Sequence, residues 1–196
     1  MECVYDARRC PCWGSSHCPE RIEFLNDWMV KRMPRSTTES AGVSKNALAF
    51  LDMLSISEGT STIHGSDDGY DVLVGGSLFN GYADHPRKLV WLPSLHISSS
   101  AAGRYQLLAR YYDIYKTLLG LHDFSPISQD LIALQQIRER HALPMIDAGR
   151  FVLAVEKCSN IWASLPGARY GQHEQKWSML QTAYLNAGGT LAGANT

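Results

Sequence analysis

The sequence has little net charge. Across 196 residues, 18 Lys and Arg face 19 Asp and Glu, which leaves -1 at pH 7. Without a strong field of one sign, binding to nucleic acid by bulk electrostatics is not expected. No apolar run approaches the ~20 residues of a membrane span, so stable membrane insertion is not expected either. The first residues also lack the apolar stretch of a secretory signal, because Glu2, Asp6, Arg8 and Arg9 interrupt it. Cysteine is scarce where a disulfide framework would need it. Cys3, Cys10, Cys12 and Cys18 crowd the first 18 residues, and only Cys158 lies beyond. His64, His85, His96, His122, His141 and His173 show no metal-ligand spacing, so no metal site is predicted and each is read as a surface or hydrogen-bonded residue. What is present is a hydrophobic content of 45%, the ordinary level for a globular domain with a real core.

Composition divides the chain. Residues 1–42 read as an N-terminal extension, either disordered or a mis-assigned start. They are rich in Cys and Arg, carry an apolar patch (Phe24, Leu25, Trp28, Met29, Val30) and end in a polar run from Arg35 to Ser40 that reads as a linker. Met33, just before that run, is a candidate translation start. Cys10, Cys12, His17 and Cys18 could in principle hold zinc, but Cys-x-Cys is unlike structural zinc spacing and no distant second ligand pair follows.

Residues 43–196 read as the folded domain. Ser44 is a good N-cap, and Ala47, Phe50, Leu51 and Leu54 recur at helical spacing up to Glu58-Gly59. Residues 70–74, the Gly75-Gly76 turn and residues 77–79 predict a hairpin, with residues 90–92 as a third short strand. Beyond Gly103 the pattern is helical. Leu107, Leu108, Tyr111, Tyr115, Leu118 and Leu119 mark one helix, closed by Gly120, with Tyr111 and Tyr115 read as core. Ser125-Pro126 opens another, faced by Leu131, Ile132, Leu134 and Ile137. Helices over about 149–158 and 172–186 follow. Trp162 reads as core, Cys158 as a buried thiol, and Arg87-Lys88 as a solvated pair. The fold class is therefore α+β, a mostly helical body with a small antiparallel three-stranded sheet.

Glu58 stands out. A carboxylate at a helix C-terminus faces the negative end of the helix dipole, which raises the cost of ionising it. A carboxyl biased toward its protonated form is what a general acid needs. By spacing alone, a solvated helix-end carboxylate is the simpler reading. The neighbouring text decides between them. Ala49-Phe50-Leu51-Asp52-Met53-Leu54, Ser57-Glu58-Gly59-Thr60, Gly69-Tyr70-Asp71-Val72, Asp84-His85-Pro86-Arg87-Lys88-Leu89-Val90, Gly103-Arg104-Tyr105-Gln106 and the run from Cys158 to Gly167 occur in one order. Together they resemble the lambda endolysin family of peptidoglycan lytic transglycosylases, from about residue 45 to about residue 190.

That resemblance implies a lysozyme-like fold with a saccharide groove flanked by the sheet. It implies that Glu58 is the catalytic acid/base, that Tyr105 and Gln106 line the groove, and that Tyr170 faces the cleaved bond. It implies no metal or organic cofactor. The reaction would break the β-1,4 bond between N-acetylmuramic acid and N-acetylglucosamine and form 1,6-anhydromuramic acid. The partners would be peptidoglycan glycan strands, with holin-dependent release of a monomer from the host cytoplasm to the periplasm. Two alternatives stay open. One is a hydrolase with Asp67 or Asp68 as second carboxylate, although Asp67-Asp68-Gly69 reads more simply as a turn. The other is a glycan-binding protein that has lost catalysis.

Overall fold

The computed structural model describes residues 35–168 and 173–193. The zinc question of the first residues lies outside them. In chain order the elements are α1 (Thr38–Ala41), α2 (Lys45–Ser57), a 3-10 turn (Thr60–Thr62), β1 (Val90–Leu92), β2 (Ile97–Ser99), α3 (Ala109–Leu119), α4 (Pro126–Glu139), α5 (Leu143–Asp147), α6 (Phe151–Cys158) and α7 (Trp177–Asn186).

α2 is the central helix. The Ser44 hydroxyl accepts from Ala47 N at 3.1 Å and starts it. Ala47, Ala49, Phe50, Leu51, Met53 and Leu54 are all at most 1% exposed, so the helix is enclosed on most of its faces. It packs against α4, α5 and α7. Phe50 meets Phe151 of α6 edge to face, and Phe151 lies beside Tyr184 of α7. Buried Asn46 anchors both ends of the domain: its amide donates to Ile146 O at 3.1 Å and its oxygen accepts from Thr190 N at 2.9 Å. A second, smaller core gathers Leu73, Phe79, Ala102, Leu107, Tyr112, Phe124 and Ile132.

The helical readings hold at α2, α3, α4, α6 and α7, with Ser125 capping α4 and Gly120 closing α3 as expected. α7 starts at Trp177 rather than near 172. Three expectations are corrected. First, the sheet among the described residues has two strands, paired Val90↔Ser99, Trp91↔Ser98 and Leu92↔Ile97. Residues 70–79 form only isolated bridges, Val72↔Leu78 and Leu73↔Ala102. Gly75 and Gly76, at φ 86° and 87°, turn the chain so that Leu73 N donates to Ser77 O at 2.7 Å. Second, Tyr111 is 43% exposed and Tyr115 only partly buried; Tyr112 fills the core, against Phe124 at 5.1 Å and His85 at 5.6 Å. Third, the run read as a linker is folded. Thr37 and Ser40 form a reciprocal capping box around α1. Just before it, Ser36 N donates to Asp130 Oδ2 at 2.9 Å and Arg35 Nη1 to Asp52 Oδ1 at 2.6 Å.

Candidate active site

Glu58 is the C-cap of α2, with its N–H bonded to Leu54 O at 2.9 Å. Gly59 follows at φ 74°, which turns the chain out of the helix into the 3-10 turn. Glu58 as a residue is half-buried, and its carboxyl is surrounded mostly by protein. Burial pushes its pKa up to about 7 from the ordinary 4.5, and a hydrogen bond from Ser164 opposes part of that rise. A carboxyl poised near neutrality can both give and take a proton.

Ser164 comes from far along the chain. Its hydroxyl donates to Glu58 Oε1 at 2.6 Å and lies 2.7 Å from the Ser57 hydroxyl. Gln175 closes the arrangement. Its N–H donates to Ser164 O at 2.8 Å and its amide to Ser57 O at 3.1 Å. Ser57, Ser164 and Gln175 were missed from sequence, because no local spacing marks a hydroxyl that reaches a carboxylate 106 positions away.

The Gly103-Arg104-Tyr105-Gln106 loop lies beneath the same turn. Thr60 Oγ1 donates to Arg104 O at 2.7 Å, which joins the Glu58 turn to the loop. Arg104 is 2% exposed and carries its charge into an ion-paired cluster. Nη2 meets Asp52 at 2.8 Å, Nη1 meets Asp68 Oδ2 at 2.7 Å and also Asp68 O, and the guanidinium lies 5.0 Å over the Tyr70 ring. Arg35 adds a second cation on Asp52. Asp130, fully buried, accepts from Tyr105 at 2.6 Å and from Tyr70 at 2.9 Å.

Among the proposed site residues, Glu58 and Gln106 have accessible surface. Gln106 has φ 51°, and its amide nitrogen folds back onto Gly103 O at 3.0 Å. Tyr105 is 5% exposed: its hydroxyl donates to Asp130 and its carbonyl accepts from Trp162 Nε1 at 3.2 Å, so little of its side chain is open to a sugar. Tyr170 lies outside the described residues. Asp68 is held by the buried Arg104 guanidinium. Asp67 accepts from Tyr82 OH at 2.8 Å and its N–H donates to Asp71 within a turn. Among the described residues no group of three His, Cys, Asp or Glu is arranged to hold a metal ion, and no helix is long and apolar enough to cross a membrane.

The endolysin family model matches residues 48–191. The endolysin of Escherichia phage lambda is 56% identical over 151 residues, covering 76% of this chain and 95% of the relative. The endolysin of Escherichia phage P2 is 46% identical over 158 residues, covering 76% of this chain and 96% of the relative. Bacteriophage lambda lysozyme complexed with a chitohexasaccharide has the same fold, with a TM-score of 0.73 at 55% identity over 76% of this chain and 97% of that one. The chain belongs to the endolysin family and has the fold of lambda lysozyme.

Proposed function

We propose that the protein lyses its host by cleaving peptidoglycan between N-acetylmuramic acid and N-acetylglucosamine, with Glu58 acting alone as acid and then base. The observation that carries this is the carboxyl of half-buried Glu58, bonded to Ser164 and raised to about 7 by burial. Protonated, Glu58 gives its proton to the glycosidic oxygen as the C1–O bond breaks. Ionised, it takes the proton of the muramic C6 hydroxyl as that oxygen closes onto C1, giving the 1,6-anhydro product. A one-carboxylate route suits a site in which Asp68 is tied to Arg104 and Asp67 to Tyr82. The cation-like transition state still needs stabilising, and the substrate's own acetamido group can supply that here, where most glycosidases use a second carboxylate. Gln106 and Tyr170 are proposed to contact the sugar, and residues 43–196 to form the catalytic domain. A monomer that waits for a holin to open the inner membrane goes with this reading.

Digestion of purified murein followed by mass spectrometry is the test. Anhydro ends support the proposal, reducing ends turn it into a hydrolase, and intact murein overturns it as an enzyme. Glu58→Gln is expected to lower activity about 10²–10⁴-fold with the fold kept, the range that general acid–base catalysis contributes.

A further inference from the structure

The two oxygens of Glu58 are treated differently. Oε1 accepts from Ser164 at 2.6 Å. A serine hydroxyl has one proton to give. With that proton committed to Glu58, the 2.7 Å contact between Ser57 and Ser164 runs from Ser57 to Ser164. The hydrogen-bond order is then Ser57, Ser164, Glu58 Oε1. Both serines are held from behind. Ser57 ends α2 and is 3% exposed. Gln175 binds the carbonyl of each, Ser164 O at 2.8 Å and Ser57 O at 3.1 Å.

We propose that Ser164, backed by Ser57, is a positioning residue that reserves Glu58 Oε1 as an acceptor and confines the acid proton to Oε2. This rests on the acid/base reading of Glu58. An unconstrained carboxylic acid can carry its proton on either oxygen and present it in more than one direction. Here the Ser164 proton already occupies Oε1, so a proton there would face another proton. In the first half-reaction the Oε2–H bond breaks and the glycosidic oxygen leaves with the proton. In the second, the muramic O6–H bond breaks and Oε2 regains a proton. The Ser164 bond persists throughout and strengthens as the carboxylate gains charge, since hydrogen bonds to ionised acceptors are the stronger ones. Among the described residues the Ser164 hydroxyl is the group bonded to the carboxyl, with the Ser57 hydroxyl behind it, and no charged side chain shifts its titration.

The experiment compares full-length wild type with Ser164→Ala, Ser164→Thr, Ser57→Ala and Glu58→Gln on soluble glycan strands across a range of pH. A ¹³C NMR titration of the Glu58 carboxyl is run on each folded variant that retains it. Losing a hydrogen bond to the ionised form moves the alkaline limb upward, by about one pH unit. Losing orientation lowers kcat about 10-fold or more while KM stays within about 2-fold. Threonine, which keeps the hydroxyl, is expected to restore both, and Ser57→Ala to shift the limb upward by less. A Ser164→Ala profile that superimposes on wild type overturns the proposal, as does a kcat loss that threonine does not rescue with the limb unmoved. Should Ser164→Ala fail to fold, an unshifted limb in Ser57→Ala overturns it instead. Activity retained by Glu58→Gln would remove the acid/base reading itself, whereas an inactive Glu58→Gln beside an unaltered Ser164→Ala would remove only the role of Ser164.

Discussion

Gly103 matters through the side chain it lacks. A Cβ there would lie 2.2 Å from Gln129 Oε1, and the backbone stands at φ 79°. Gln129 cannot yield cheaply, because its oxygen accepts from Arg104 N and its amide donates to Tyr70 O and Phe124 O. Gly103→Ala is expected to cost about 3 kcal/mol or more, from strain plus a disrupted buried network, and to lower kcat/KM through the attached Gln106. Calorimetry and kinetics on the same variant read both. Tyr105→Phe tests the burial of that ring. It is expected to cost about 1–3 kcal/mol by taking one donor from Asp130 while KM for glycan stays unchanged; a raised KM would put Tyr105 back in the groove. Glu58 stood out because its residue type conflicts with its place at a helix end, and the neighbouring motifs, not the spacing, made it the candidate acid. The depth of Tyr105 could not be read, since it depends on Asp130, a partner supplied by α4.

Among the elements, caps were legible and phases were not. Ser44, Ser125-Pro126 and Gly120 mark helix ends by local chemistry alone, and the structure uses each of them. α3 carries aromatics on two adjacent stripes, and the choice of Tyr112 over Tyr111 is made by Phe124 and His85 from outside the helix. Residues 35–41 were misread because polarity was taken for looseness. Their hydrogen bonds end on buried or partly buried carboxylates, Asp130 and Asp52. A chain beginning at Gly42 therefore leaves Asp130 without one of its donors and Asp52 without one of its cations. It is expected to be about 1–3 kcal/mol less stable than a chain beginning at Met33. Denaturant titration of the two chains checks this, and equal midpoints would mean that the segment is held passively.

The stability of the whole molecule carries the mark of its acid. Folded Glu58 holds its proton up to about 7, whereas its ordinary value is 4.5. Between these values the folded chain binds a proton that the unfolded chain has released, so stability falls as pH rises through this window and stays lower above it. Glu58→Gln lacks that dependence. It is expected to melt above wild type at about pH 8 and to lose most of that advantage at about pH 5. Fold class and helix order could be read from the sequence, since periodicity and caps are local. The closure that places Ser164 on Glu58 could not, because it joins distant parts of the chain. That closure has a consequence for how such enzymes diversify. The segment from Ser164 to Gln175 is pinned at its base, with Gln175 N on Ser164 O. Doubling the length of a loop whose ends are already joined costs only about 0.6 kcal/mol. Leu165 and Pro166 inside this segment are buried, so the tolerance this closure confers is for added length beyond Gly167 rather than for substitution at those two positions, and such additions leave the Glu58–Ser164 bond in place.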